Sequence, residues 1–179
     1  MPLSSRTLLG IPKTNLRGTS WAIPSGVSIV STISADGDLY TVTVSSLTTA
    51  SLEPPLVVFY LKRVSRSLHA VRDGGEFAVT VLAAHQDSVA LRFSAPGLPR
   101  GSQGWKGIPL RPAPVTGLLI AVEGVAYFDC CLVSCFEVGD HQSILGRMLS
   151  CDGLEPSASF LHGNSEFTMF RDAGSPTVD

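Results

Sequence analysis

Apolar and β-branched residues dominate Gly26 to Ser34 and again Leu39 to Ser46, and the Ala35-Asp36-Gly37-Asp38 segment between them has the composition of a tight turn. The pair predicts a β-hairpin. Shorter runs of the same kind at Leu56 to Leu61 and Glu76 to Leu82 predict two more strands. Leu118 to Val138 and Ser143 to Leu149 carry further strand-like segments, broken by Gly124 and by Gly139-Asp140. Helical spacing appears twice. In Ser65 to Gly75 a serine precedes Leu68 and Val71 on one face, and paired glycines supply the stop. In Ala84 to Phe93, Val89, Ala90 and Phe93 share a face, with Gln86, Asp87 and Arg92 left for water. Ser94 to Pro114 is dense in proline and glycine and predicts a long loop, a lid over a site or an arm to a partner. At least six strands with two secure helices favour a closed barrel or sandwich over a doubly wound sheet.

With 179 residues, 44% hydrophobic and 16% charged, the chain has the size and apolar content of one folded domain. A net charge of −2 gives no general attraction to polyanions, so no nucleic-acid partner is expected. The longest apolar stretches are far shorter than the roughly 20 residues that span a bilayer, and no membrane partner is expected. Met1 to Gly10 lacks the basic start and apolar run of a signal peptide, so a cytoplasmic location is the expectation. Cys130, Cys131, Cys135 and Cys151 do not have the spacing of a secreted disulfide scaffold and are read as reduced thiols. Adjacent Cys130 and Cys131 point to opposite faces of a strand, so they cannot ligate one metal together, and no metal site is expected.

Candidate chemistry concentrates in two places. In Leu61-Lys62-Arg63-Val64-Ser65-Arg66-Ser67 a strand ends, cations follow and a helix begins. The partial positive charge and free N–H groups of a helix N-terminus favour a phosphate there, with Ser hydroxyls and Lys62, Arg63 or Arg66 completing the shell. A solvated basic turn is the alternative, and the local sequence leaves both open. The second place is Thr41 to Ser51, where a strand runs into a hydroxyl-rich, glycine-free loop that could serve the acceptors of a flat heterocycle. An ordinary exposed loop is the reading that this stretch alone favours. His69 and His85 fall in helix positions suited to surface or capping roles. There is no Gly-x-Ser-x-Gly, Walker or Rossmann glycine run, which weighs against hydrolase, NTPase and classical dehydrogenase functions.

An ordered set of motifs is more specific than either place alone. Pro24-Ser25-Gly26-Val27, Asp36-Gly37, Thr43-Val44-Ser45-Ser46, Ser51-Leu52-Glu53-Pro54-Pro55-Leu56-Val57, Ser65-Arg66-Ser67, Phe77 to Leu82, Gln86, Arg92-Phe93, Val138-Gly139-Asp140-His141 and Gly146-Arg147 follow one another in the chain. Their succession resembles the short flavin reductases, many of which are the NAD(P)H-using partners of two-component flavin monooxygenases. The resemblance runs over Leu16 to Phe170. It implies a mostly β fold, a split β-barrel of the FMN-binding type with two or three short helices, spanning residues 16–170. Residues 1–15 are then an N-terminal extension and 171–179 a flexible C-terminal tail.

By the same resemblance, Thr43, Val44, Ser45, Ser46 and Ser51 line the isoalloxazine and ribityl chain of FMN or FAD. Ser65 and Ser67, with Lys62 or Arg63, take the flavin phosphate, and Thr80 is counted with the flavin contacts. His141 is the catalytic candidate, holding the nicotinamide nucleotide by a hydrogen bond without transferring a proton, and Arg147 is placed on the nucleotide as well. Thr41 stands where the family usually has Gly, Thr80 stands where Asn is common, and Glu155 to Phe167 departs from the family's usual aromatic and Arg-Gly ending. His162 enters only through its place in that segment. The implied function is NAD(P)H-dependent reduction of FMN or FAD by a homodimer that supplies reduced flavin to a separate monooxygenase. The alternatives are a split-barrel enzyme acting directly on an organic substrate and a non-catalytic flavin-binding protein.

Overall fold

The computed structural model describes Thr19, residues 22–94 and 101–154, and the backbone of strands at 159–163 and 166–170. The expected extension at 1–15 and tail at 171–179 lie outside the described residues. The chain runs β1 (Ser25–Gly26), β2 (Ser28–Ile33), β3 (Leu39–Val44), β4 (Thr48–Leu52), β5 (Pro55–Lys62), α1 (Arg66–Gly74), β6 (Glu76–Val81) and α2 (Asp87–Ser94). A 3-10 turn at Gly101–Trp105 precedes β7 (Leu110–Pro112), β8 (Leu119–Ala121), β9 (Ala126–Val138), β10 (His141–Gly153), β11 (Ser159–Gly163) and β12 (Glu166–Phe170). Among the described residues no helix is long and apolar enough to cross a membrane.

Seven strands form one sheet in the order β3-β2-β6-β9-β10-β5-β4, flanked by a β1-β11-β12 sheet and a β7-β8 pair. β3 and β4 lie at opposite edges of the large sheet, yet only Ser45 to Leu47 join them. That linker spans at most about 14 Å. The sheet therefore curls until its edges meet, which makes it a barrel. Ser46 helps to close it, for its Oγ accepts the backbone N–H of Tyr60 on β5 at 3.0 Å.

Alternation along the strands fills the barrel. Val57, Phe59 and Leu61 of β5 point inward, where they meet Val30, Val44, Phe77, Val79, Cys130 and Ile144. The Phe59 and Phe77 rings meet edge to face, with centroids 5.2 Å apart. Gly146 sits against this pair, and a Cβ built there would overlap the Phe77 ring. A second core, with Val27, Ile29, Leu82, Val89, Ala90, Phe93 and Trp105, packs α2 and the 3-10 turn onto the barrel. β2 is buried between the two, and two of its hydroxyls find internal acceptors: Ser31 donates to Leu119 O and Thr32 to Glu76 O, each at 2.7 Å.

The structure departs from the sequence reading in several places. Thr48–Leu52, expected within a loop, is strand β4, because Thr and Ser suit an exposed edge that pairs on one side only. α2 begins at Asp87, three residues later than expected, since Gln86 Oε1 accepts the Ala83 N–H and holds a turn ahead of it. Beyond residues 95–100, which lie outside the described residues, the expected lid or arm is a pinned segment. Arg92 donates to the carbonyls of Gly104 and Lys106, Trp105 packs on Phe93, and β7 pairs with β8.

Candidate active site

Where β3 leaves the barrel edge, a cavity of about 430 Å³ opens between that edge, the end of β5, the start of α1 and the start of β10. Thr43, Val44, Ser45 and Ser46 form one wall, Tyr60, Leu61, Lys62 and Ser65 another, and Ser94 and His141 complete it. Two motifs far apart in the chain thus meet at one site.

Pairing fixes the meeting. His141 is the register partner of Lys62 on β5 and of Val138 on β9. Directly opposed residues place their Cβ atoms about 4.5–5.5 Å apart on one face of the sheet, so Lys62 and His141 stand side by side. The turn before α1 is tied to the Gly139-Asp140 turn, for Arg63 N–H donates to Asp140 O at 3.1 Å. Gly139 has φ of 60°, which its lack of a Cβ permits, and Gly139-Asp140 forms the two-residue connection of the β9–β10 hairpin.

Several of the hydroxyls at the wall already have partners. Thr43 Oγ1 donates to Ala90 O at 2.7 Å, and Ser46 is engaged with Tyr60. Ser45 is exposed and has no side-chain hydrogen bond among the described residues, which leaves it and the backbone of the linker as donors to a ligand. Ser65 is the N-cap residue of α1 with no side-chain capping bond. Its hydroxyl and the N–H groups of Arg66 and Ser67 remain available for an anion, while the Leu68 N–H donates to Ser65 O at 3.2 Å. Of the two cations, Arg63 is paired with Glu137 at 3.6 Å, whereas Lys62 lines the cavity. His141 Nδ1 lies 2.7 Å from Asp140 Oδ1, and that hydrogen bond holds the Asp140 carboxyl below its ordinary range.

The remaining sequence candidates lie elsewhere. Ser67 is buried in α1, and Thr80 is buried in β6, where its Oγ1 accepts the Ala121 N–H at 3.1 Å. Ser51 and Arg147 are both register partners of Leu56, six residues before Lys62 along β5. At about 3.4 Å per residue, they lie about 20 Å from the Lys62 end. Tyr60 was not among the sequence candidates, although alternation gives the signal: it stands two residues before Lys62, on the same face and between buried Phe59 and Leu61.

Comparison with known proteins agrees with this geometry. Residues 20–170 match the family described as flavin reductase like domain. The chain belongs to that family. It is 32% identical over 130 residues to a flavin reductase (NADH) of Kitasatospora aureofaciens, covering 72% of this chain and 66% of that protein. It is 34% identical over 144 residues to the reductase subunit HsaB of a flavin-dependent monooxygenase from Rhodococcus jostii, covering 80% of this chain and 71% of the subunit. Among solved structures, BorF, the flavin reductase component of a bacterial two-component tryptophan halogenase, superposes with a TM-score of 0.83 at 26% identity, over 89% of this chain and 99% of that one. The family's split barrel is the fold described above.

Proposed function

We propose that this chain is an NAD(P)H:flavin oxidoreductase that supplies reduced FMN or FAD to a separate flavin-dependent monooxygenase. The observation that carries the reading is the single cavity in which Ser45, Lys62, Ser65 and His141 converge. A helix N-terminus beside a lysine that has no ion pair among the described residues suits a phosphate, the hydroxyl-bearing linker suits the polar edge of a flat ring, and the histidine suits a second ligand laid across it. The chemistry belongs to the two substrates: the C4–H bond of the dihydronicotinamide breaks as the N5–H bond of the flavin forms, and two electrons move with the hydride. The protein's part is to hold the reacting atoms at about 3–3.5 Å and to exclude other poses. Lys62 and Ser65 bind the phosphate, Ser45 and the linker N–H groups orient the ring, and His141 hydrogen-bonds the nicotinamide nucleotide.

The homologous HsaB is named as a monooxygenase's reductase subunit and BorF as a halogenase's reductase component, which supports a second enzyme as the consumer of reduced flavin. The same reading makes the chain a cytoplasmic homodimer. Phe136 is 57% exposed, Val138 48% and Tyr60 40%, and Phe136 and Tyr60 are aligned across the sheet through Ser143. An apolar stripe of this kind beside the cavity suits a second copy of the chain. Anaerobic mixing of the purified protein with NADH and free FMN tests the activity: the flavin's visible absorbance should bleach at a rate proportional to enzyme. Absence of bleaching with either NADH or NADPH, and with either flavin, would refute it. Light scattering should report twice the chain mass.

A further inference from the structure

We propose that Asp140 is a positioning residue for His141, holding the ring in the tautomer that has its proton on Nδ1 and leaves Nε2 free as an acceptor in the cavity. The inference rests on the reading of His141 as the side chain that binds the nicotinamide nucleotide.

The two neutral forms of an imidazole differ little in energy, so the hydrogen bond made by one nitrogen decides which nitrogen keeps the proton. Here Nδ1 faces a carboxylate oxygen at 2.7 Å, the distance of a charge-assisted hydrogen bond. A carboxylate only accepts, so Nδ1 must carry the hydrogen. Nε2 has no protein partner among the described residues, and His141 lines the cavity with 35% of its side chain exposed. A nucleotide carboxamide N–H or ribose hydroxyl would find an acceptor there.

The backbone holds Asp140 for this task. The two-residue hairpin places it immediately before the first residue of β10, and the bond from Arg63 N–H to its carbonyl fixes the turn against the β5 end. The other charged groups around His141 leave the pair intact. Lys62, across on β5, favours an ionised Asp140, Val138 on β9 is uncharged, and Glu137 is engaged by Arg63. The low exposure that usually strengthens such a pair is missing, since Asp140 is 92% exposed, so geometry and not burial is its contribution.

The test uses Asp140→Gly, which keeps a turn-compatible residue and removes the carboxylate, and Asp140→Asn, which keeps an oxygen acceptor and removes the charge. Nitrogen NMR of the imidazole should show Nδ1–H in the native protein, loss of that preference in Asp140→Gly and an intermediate state in Asp140→Asn. The KM for NADH should rise about tenfold in Asp140→Gly, the loss of roughly one charge-assisted hydrogen bond. It should rise less in Asp140→Asn, and FMN affinity should stay within twofold in both. A tautomer unchanged in Asp140→Gly overturns the proposal. So does a shifted tautomer with an unchanged KM for NADH, or an equal loss of FMN affinity, which would mark a general disturbance of the turn. Because the tautomer is read without turnover, a native protein inactive with NADH and flavin would overturn the reductase reading, while the NMR result would still decide whether Asp140 sets the ring.

Discussion

The indole N–H of Trp105 donates to the hydroxyl of Thr41 across 2.9 Å. Two residues further along β3, Thr43 donates to Ala90 O at 2.7 Å. Residues two apart on a strand share a face, so both hydroxyls tie the outer side of β3 to the 3-10 turn and to α2. The strand that leads into the cavity wall is thus held from behind. Thr41 has a definite structural task here.

Trp105→Phe should keep an aromatic ring against Phe93 and lose only the donor. Its cost should be about 1–2 kcal/mol, with Thr41→Val costing a similar amount. The two losses should not add, because each removes the same bond. Urea denaturation of the single and double variants measures this, and strictly additive losses would show that the contact contributes nothing of its own.

The strands of the barrel were legible from the sequence because alternation and burial coincide: Phe59 and Leu61 point in while Tyr60 and Lys62 point out. β4 was not, because an edge strand of Thr, Ala and Ser has the composition of a loop and becomes a strand only through pairing with β5. For the turn at Lys62 to Ser67, local rules left an anion site and a solvated basic turn both open. Its convergence with His141 depended on the register between β5 and β10, which local composition does not encode. The partnering of Arg63 by Glu137 and of Thr43 by Ala90 likewise comes from contacts distant in the chain, and it changes which members of each motif remain free for a ligand.

Gly146→Ala should destabilise the barrel although the substitution adds one methyl group. The added carbon has no room beside the Phe77 ring, which is itself fixed against Phe59. Overpacking of this kind costs about 1–3 kcal/mol, or a fall in Tm of about 2–12 °C for a chain of this size. Calorimetry reads it directly. A companion Phe77→Leu substitution should recover part of the loss, and no recovery would place the strain elsewhere.

The cysteines should differ sharply in reactivity. Burial, reinforced by the nearby Asp129, pushes the Cys130 thiol far above its ordinary value of 9.0, whereas Cys151 is exposed. Iodoacetamide at neutral pH should label Cys151 readily and Cys130 only after unfolding. The sign of the linkage follows from the raised value. Below pH 9.0 both folded and unfolded chains keep this thiol protonated, and its contribution to stability is complete. Above that pH the unfolded chain alone ionises, so stability should fall as pH rises, and Cys130→Ala should remove that part of the slope.

Phosphate recognition should depend on Lys62 more than on its neighbour. Arg63 points toward Glu137, with Nη2 3.6 Å from the carboxylate, and so has a counter-charge already, whereas Lys62 lines the cavity beside Ser65 and the first turn of α1. Lys62→Met keeps the length and packing of the side chain and removes the charge. It should weaken FMN about tenfold, the scale of one charged hydrogen bond, with Ser65→Ala weaker by a few-fold and Arg63→Ala the mildest of the three. Riboflavin separates a phosphate effect from a collapse of the cavity, since it has the same ring and ribityl chain without the phosphate. Fluorescence titration should therefore show FMN affinity falling in Lys62→Met while riboflavin affinity holds, and the native preference for FMN should shrink as salt is raised. If Lys62→Met weakens both ligands equally, the lysine supports the wall of the cavity and the phosphate binds elsewhere. If Arg63→Ala has the largest effect, the guanidinium must leave Glu137 when the ligand enters.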